Sequence, residues 1–373
     1  MAIFVYGMIA AMLGTLMPTF NLTPAQNGNI ALAQALGLVL ASLSAGPLVD
    51  NKGKKIALVI GLFCVAVALF TLPNAGGYGQ IMACMFLQGF GGGIIVTAGN
   101  ALASDVDETR RASMMNFLNL FFGLGGMVTG IIYGLLKNDA VTLCYLTAGL
   151  TAITFFVHST TPMPAPSGER GFKPSEAGRL IGRPALWLLA LFLFLYVAAE
   201  VGVWNWLKIY LMSKGIAEGS AQNIVSWGFA FGLLIGRVVV SRILIKVAAP
   251  TVTLAAAGLM TFTTYLMLET SDPTIAWIAV FAAGLAMAPV FPTTLGMVGD
   301  AFPKGTATAM GIVITFGWVG LAVSSPLIGA IAGQDSTNLR TALLILPAFS
   351  ALMVVVNLAL RPMLGRAKTA VSA

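Results

Sequence analysis

Apolar runs of about twenty residues, separated by brief polar links, fill this chain almost from end to end. A helix needs roughly 20 apolar residues to cross the hydrocarbon core of a bilayer, so the chain is expected to be an all-α membrane protein. Its charge content agrees. Only 9% of the 373 residues are charged, against about 25% in a soluble domain; so few charges cannot cover a surface in water, and lipid must cover it. The 42 glycines suit membrane helices, where small residues let backbones approach closely.

The runs resolve into twelve expected spans: 2–19, 28–49, 56–72, 80–103, 113–136, 141–160, 183–212, 220–242, 251–268, 275–300, 307–332 and 339–360. The first has no basic leader and no small-residue cleavage site, so it reads as a span and not as a signal peptide. With both termini placed in the cytoplasm, sixteen of the 20 Lys and Arg fall on that side, Arg237 and Arg242 among them. Only Lys137, Lys208, Lys214 and Arg340 lie elsewhere. This bias fixes the orientation by the positive-inside rule, and a miscount of one span would erase it. The expected setting is a bacterial inner membrane. Thr161–Gly182, rich in Pro, Ser, Gly and charge, has the composition of a linker. The expected organisation is thus a lobe over 1–160, a linker over 161–182, a second lobe over 183–360 and a tail over 361–373, both polar segments being cytoplasmic.

The link after the second span reads Gly46-Pro47-Leu48-Val49-Asp50-Asn51-Lys52-Gly53-Lys54-Lys55. It resembles the G-x-x-x-D-x-x-G-[RK]-[RK] loop of the major facilitator superfamily. The fold this implies is twelve transmembrane helices in two six-helix lobes, working by alternating access. Asp50 can bond the end of a neighbouring helix while the lysines meet headgroups and helix ends, so Gly46, Asp50, Gly53, Lys54 and Lys55 are expected to form a gating clasp. The corresponding stretch of the second half, Gly236-Arg237 through Ser241-Arg242 to Lys246, lacks the acid. Gly89–Gly93, Thr97–Leu102, Arg110–Ser113, Asn116–Asn119, Tyr196–Val201 with Trp206 and Tyr210, and Ala288–Thr293 are similar to the fucose permease-like sugar symporters, a resemblance that covers nearly the whole chain. It also exposes departures: Gly14 and Val96 stand where that branch carries carboxylates, and Met85 stands where the superfamily carries an arginine.

Glu200 is the one carboxylate deep inside a span. Burying a carboxylate at that depth costs at least about 2.5–3.5 kcal/mol on insertion scales, so it must face a cavity or a partner. Tyr196, Glu200, Trp204 and Lys208 recur every four residues and form one helical stripe. Glu200 is a candidate both for proton coupling and for accepting hydrogen bonds from solute hydroxyls, with a structural tie to a neighbouring helix as the plainer alternative. Sugar sites combine an aromatic face with amides and hydroxyls. The other candidate solute-binding residues are Thr15, Gln88, Asn100, Asn119, Trp204, Asn205, Asn223, Trp227, Phe291, Thr294 and Trp318. They describe a neutral cavity with aromatic walls, and no basic group at midplane is expected to hold an anionic solute. Pro289 and Pro292 are expected to kink the tenth span.

Other chemistries find no support in the sequence. Cys64, Cys84 and Cys144 lie inside apolar spans without metal-ligand spacing, and His158, the one histidine, sits near a span end. No metal site, nucleotide loop or hydrolase motif is present; neither enzymatic activity nor a cofactor is expected. Dispersed basic residues argue for topology and not for nucleic acid. The expected partners are a small neutral solute, with a monosaccharide favoured, a proton as candidate co-substrate, and membrane lipids around a monomer. The alternatives are an efflux carrier for amphipathic drugs or metabolites, disfavoured by Gly125-Gly126-Met127 where antiporters tend to carry a Gly-Pro pair, and a non-transporting membrane sensor, disfavoured by the short linker and tail.

Overall fold

The computed structural model describes residues 1–16, 24–107, 109–137, 139–163, 178, 180–303, 305–332 and 338–371. Within these the chain is helical, without strands, and forms twelve rods. They are α1 (Ala2–Leu16), α2 (Pro24–Lys52), α3 (Lys54–Thr71), α4 (Tyr78–Val106), α5 (Arg111–Leu135), α6 (Ala140–Thr160) and α7 (Pro184–Ser213). Next come α8, in three consecutive pieces (Glu218–Asn223, Ile224–Phe229, Ala230–Ile243), and α9 (Ala249–Leu266). Last are α10 (Pro273–Met287 and Val290–Ala301), α11 (Thr306–Ala332) and α12 (Leu339–Leu343 and Ile345–Val371). Most of the linker expected over 161–182 lies outside the described residues, and α12 runs on as helix through 361–371.

The residues form two compact units: 1–106, 118–180 and 302–315 in the first, 107–117, 181–301 and 316–373 in the second. Two helices are therefore shared. The first turns of α5 belong to the second unit and the rest to the first, whereas the start of α11 belongs to the first and the rest to the second.

In the first unit α2 and α3 pack on α4, α6 packs on α3, and α1 lies against α4 and α6. Glycine permits the closest approaches: a Cβ on Gly7 would meet the Phe122 carbonyl at 2.0 Å, and one on Gly125 the Phe4 carbonyl at 2.1 Å. Any larger residue would separate α1 from α5. In the second unit α12 packs on α7 and α9, and α10 on α8 and α9.

Local chemistry sets the helix ends. Gly53 turns the chain between α2 and α3 at φ 91°, a conformation that glycine adopts without steric cost. Asp139 caps α6, accepting from the Val141 and Thr142 amides at 3.0 and 3.1 Å, as Asp272 caps α10. The Thr142 hydroxyl holds the exposed Asp139 carboxyl below the usual range. This cap therefore persists in mild acid and is lost only as the pH falls through the lowered value. Two departures from regular α-helix occur inside spans. Residues Ile224–Phe229 of α8 form a π-helical segment, and α10 is interrupted at Ala288 and Pro289, where prolines 289 and 292 remove backbone donors.

Candidate functional site

The clasp residues lie in the first unit. Asp50, near the end of α2, accepts from the Thr308 amide at 3.0 Å and from its hydroxyl at 2.7 Å. The carboxylate thus sits at the N-terminal end of α11, where unpaired amides and the helix dipole favour negative charge. Gly46, one turn earlier, clears the way: a Cβ there would lie 2.5 Å from the Thr308 Cα. Lys54 is buried and ion-paired with Asp105 at the end of α4, and Lys55 is half-buried beside it.

The first unit also buries three polar side chains of apolar helices, Asn100 and Asn119 in contact and Gln88 about three turns away from them on α4. Asn119 Nδ2 donates to Asn100 Oδ1 at 3.1 Å, and Asn100 Nδ2 donates to the Val96 carbonyl at 2.8 Å. Gln88 donates weakly to the Ile9 carbonyl at 3.4 Å, and its Oε1 accepts from none of the described residues. All three side chains are buried. A buried amide oxygen without a donor is costly, and it stands ready for a hydroxyl. Thr15 is on α1, but its side chain lies outside the described ones.

The second unit holds the intramembrane carboxylate. Glu200 lies beside the Tyr196 hydroxyl and the Trp204 indole, within electrostatic reach of Arg237 on α8. Tyr196 is fully buried, yet its hydroxyl completes no hydrogen bond of good geometry. Trp204 meets Phe229 edge-to-face at 5.0 Å, which fixes the indole beside the carboxylate. Arg237, counted above with the cytoplasmic cations, is only 6% exposed and lies within electrostatic reach of Glu200.

The remaining candidates are dispersed. Asn205, Asn223 and Trp227 are exposed, Phe291 and Trp318 half-buried. Thr294 is buried and spends its hydroxyl on the Val290 carbonyl one turn back, at 2.6 Å. Asn116 entered the sequence reading only within the stretch Asn116–Asn119. It donates to the Thr293 hydroxyl at 2.9 Å, both residues being fully buried, while Arg111 donates to the Gly299 carbonyl at 2.8 Å and Ser113 to the Ser241 carbonyl at 2.6 Å. These contacts fasten the first turns of α5 to α8 and α10. Thr293→Val, which removes one acceptor and leaves Asn116 its bond to the Ala112 carbonyl, is expected to cost about 1 kcal/mol. The check is the unfolding midpoint in detergent, which should fall by roughly 2 °C; an unchanged midpoint would mean the bond contributes nothing.

Residues 1–278 match the family profile described as Major Facilitator Superfamily. The Protein TsgA homolog of Serratia proteamaculans is 24% identical over 345 residues, 90% of this chain and 86% of that protein. Among solved structures, the fucose:proton symporter FucP of E. coli superposes with a TM-score of 0.82 at 18% identity, covering 96% of each chain. The proton:xylose symporter XylE, solved bound to 6-bromo-6-deoxy-D-glucose, superposes with a TM-score of 0.77 at 12% identity, covering 95% of this chain and 92% of that one. At these identities the structural likeness establishes the fold.

Proposed function

This chain belongs to the Major Facilitator Superfamily, as a multi-pass membrane transporter and not an enzyme, and from that premise we propose that it carries a small neutral solute, a monosaccharide, across a bacterial inner membrane by alternating access. The two lobes, 1–160 and 183–360, rock about a midplane site as a monomer, with both termini cytoplasmic and the Asp50 clasp setting the inward-closed state. The observation that carries the reading is the environment of Glu200: a carboxylate acceptor with an indole in Trp204 and the buried Tyr196 hydroxyl beside it. A sugar ring presents C–H groups to an indole and hydroxyls to oxygen acceptors. Gln88 and the Asn100–Asn119 pair supply amides of the same kind. Arg237 offsets the one intramembrane carboxylate, so the site favours a solute without charge. FucP and XylE, similar in fold, are sugar:proton symporters.

Glu200 is the proton-coupling group in this proposal. Uptake of labelled monosaccharides into proteoliposomes, with and without an inward proton gradient, tests it. Gradient-stimulated uptake is expected in the wild type, and Glu200→Gln should retain passive exchange but lose the stimulation. Equal uptake with or without the gradient would make the protein a uniporter and reduce Glu200 to a binding group. Absence of uptake for every sugar would overturn the sugar assignment and favour the efflux reading.

A further inference from the structure

A groove lies between the second and fourth helices of each half, toward their N-terminal ends. In the first half the groove is about 360 Å³, between Asn29, Leu32, Ala33 and Leu36 of α2 and Met82, Ala83 and Phe86 of α4. Apart from Asn29 its lining is hydrocarbon, the surface that an acyl chain covers. The second half has a groove of about 330 Å³ at the corresponding place, lined by Ser220, Asn223 and Ile224 of α8 and Pro273, Thr274 and Trp277 of α10. Here three polar side chains and an indole replace the aliphatic lining.

Helix packing does not account for that replacement, because the first-half groove does without it. The Ser220 and Thr274 hydroxyls and the Asn223 amide form no hydrogen bond with the described residues. Trp277 is held in place: it stacks parallel on Phe281, with ring centroids 5.4 Å apart and 6° between planes. Its indole edge also faces Gly228, where an added Cβ would lie 3.6 Å from Nε1. Gly228 belongs to the π-helical segment of α8, a distortion that recurs at functional sites. No ionisable side chain lines the groove; Asp272 next to it is engaged in capping α10. The groove is open, and all of its lining but Ile224 is exposed, so its polar side chains are free to meet a ligand.

We propose that this groove is a second solute site, separate from Glu200, which takes a neutral pyranose with its C–H face on Trp277 and its hydroxyls on Asn223, Ser220 and Thr274. The choice of a pyranose over another neutral polyol rests on the sugar reading above. The charge distribution puts the groove at the outer ends of α8 and α10, so it loads solute before the midplane site does.

The test is ¹⁹F NMR of the full chain labelled with 5-fluorotryptophan in lipid nanodiscs, Trp277→Phe assigning the resonance. It is titrated with D-glucose, D-galactose, D-mannose, D-xylose and L-fucose, and uptake of the same sugars is measured in parallel. The Trp277 resonance should shift with at least one sugar. Asn223→Ala or Thr274→Val should each weaken that response by about fivefold, the loss of one hydrogen bond, while Glu200→Gln leaves it in place. Uptake without any movement of the Trp277 resonance would overturn the groove and leave the sugar reading standing. A shift without uptake would support the groove and sink sugar transport. Silence in both measurements would overturn both. A resonance that responds to lipid composition alone, or a sugar response unchanged in both polar variants, would also overturn the proposal.

Discussion

Arg237→Leu is expected to destabilise the protein by about 3 kcal/mol, and adding Glu200→Gln to the same chain should recover most of that loss. Arg237 is 6% exposed and within electrostatic reach of Glu200. Glu200 is half-buried, so removing Arg237 leaves its charge uncompensated in a partly desolvated place, whereas removing both charges together is often neutral. Four unfolding midpoints in one detergent, for the wild type, the two single variants and the double variant, complete the cycle. The single arginine substitution should be the least stable chain. Glu200→Gln alone should be milder, because arginine reaches water or headgroups along its aliphatic stem more readily than a carboxylate does. Additive effects would mean that the two charges are independent, and Arg237 would then have to be explained by packing alone.

The second large effect is expected at Asp50. Asp50→Ala removes two hydrogen bonds at the start of α11 and the negative charge that the end of that helix favours. Such caps contribute about 0.5–2 kcal/mol. Set against a conformational equilibrium balanced within a few kcal/mol, that loss shifts populations by up to about thirtyfold, and the initial rate of uptake should fall about tenfold. Asp50→Asn keeps an acceptor oxygen and should fall less. Thr308→Val removes the 2.7 Å bond and leaves the amide, so it should lie between wild type and Asp50→Ala. A transport rate untouched by Asp50→Ala would leave the cap as a structural feature of α11 without a part in the cycle.

Spans were legible because desolvation leaves little freedom. A long apolar run must be helical in a bilayer, and its boundaries are marked by the charges that lipid rejects or, in the uncharged links 20–27 and 73–79, by proline, asparagine and glycine. The loop at Gly46–Lys55 was legible for a related reason: its glycines, acid and lysines are close in sequence, and each carries a local requirement. Side chains that meet across the bundle were harder to read. Asn100 and Asn119 share a hydrogen bond although α4 and α5 are joined through a polar turn, and hydropathy carries no information on which faces of two helices meet. Arg237 had a signal that went unused. It stands between Leu233-Leu234-Ile235 and Val238-Val239-Val240, an apolar run in which a cation needs a partner or a route to water. The π-helical segment of α8, Ile224–Phe229, combines β-branched residues, a serine and a glycine, which weaken a helix without specifying a π turn. The polar groove is lined from both α8 and α10, so it is a property of the pair and not of either segment.

The sharing of α11 between units also bears on the order in which the protein can be made. The first compact unit takes in residues 302–315, so a nascent chain that has inserted its first six helices still lacks part of that unit. At translation rates of about 5–20 residues per second, the missing segment follows the sixth helix by on the order of ten seconds. During that interval Asp50 has no Thr308 to accept from, and the surface around Gly46 that Thr308 will cover is open to lipid, to the insertion machinery or to a chaperone. Completion of the first unit is thus a late, post-insertional event. A ribosome stalled before residue 302 should hold a protein whose first six helices are in the membrane and whose first unit is unfinished.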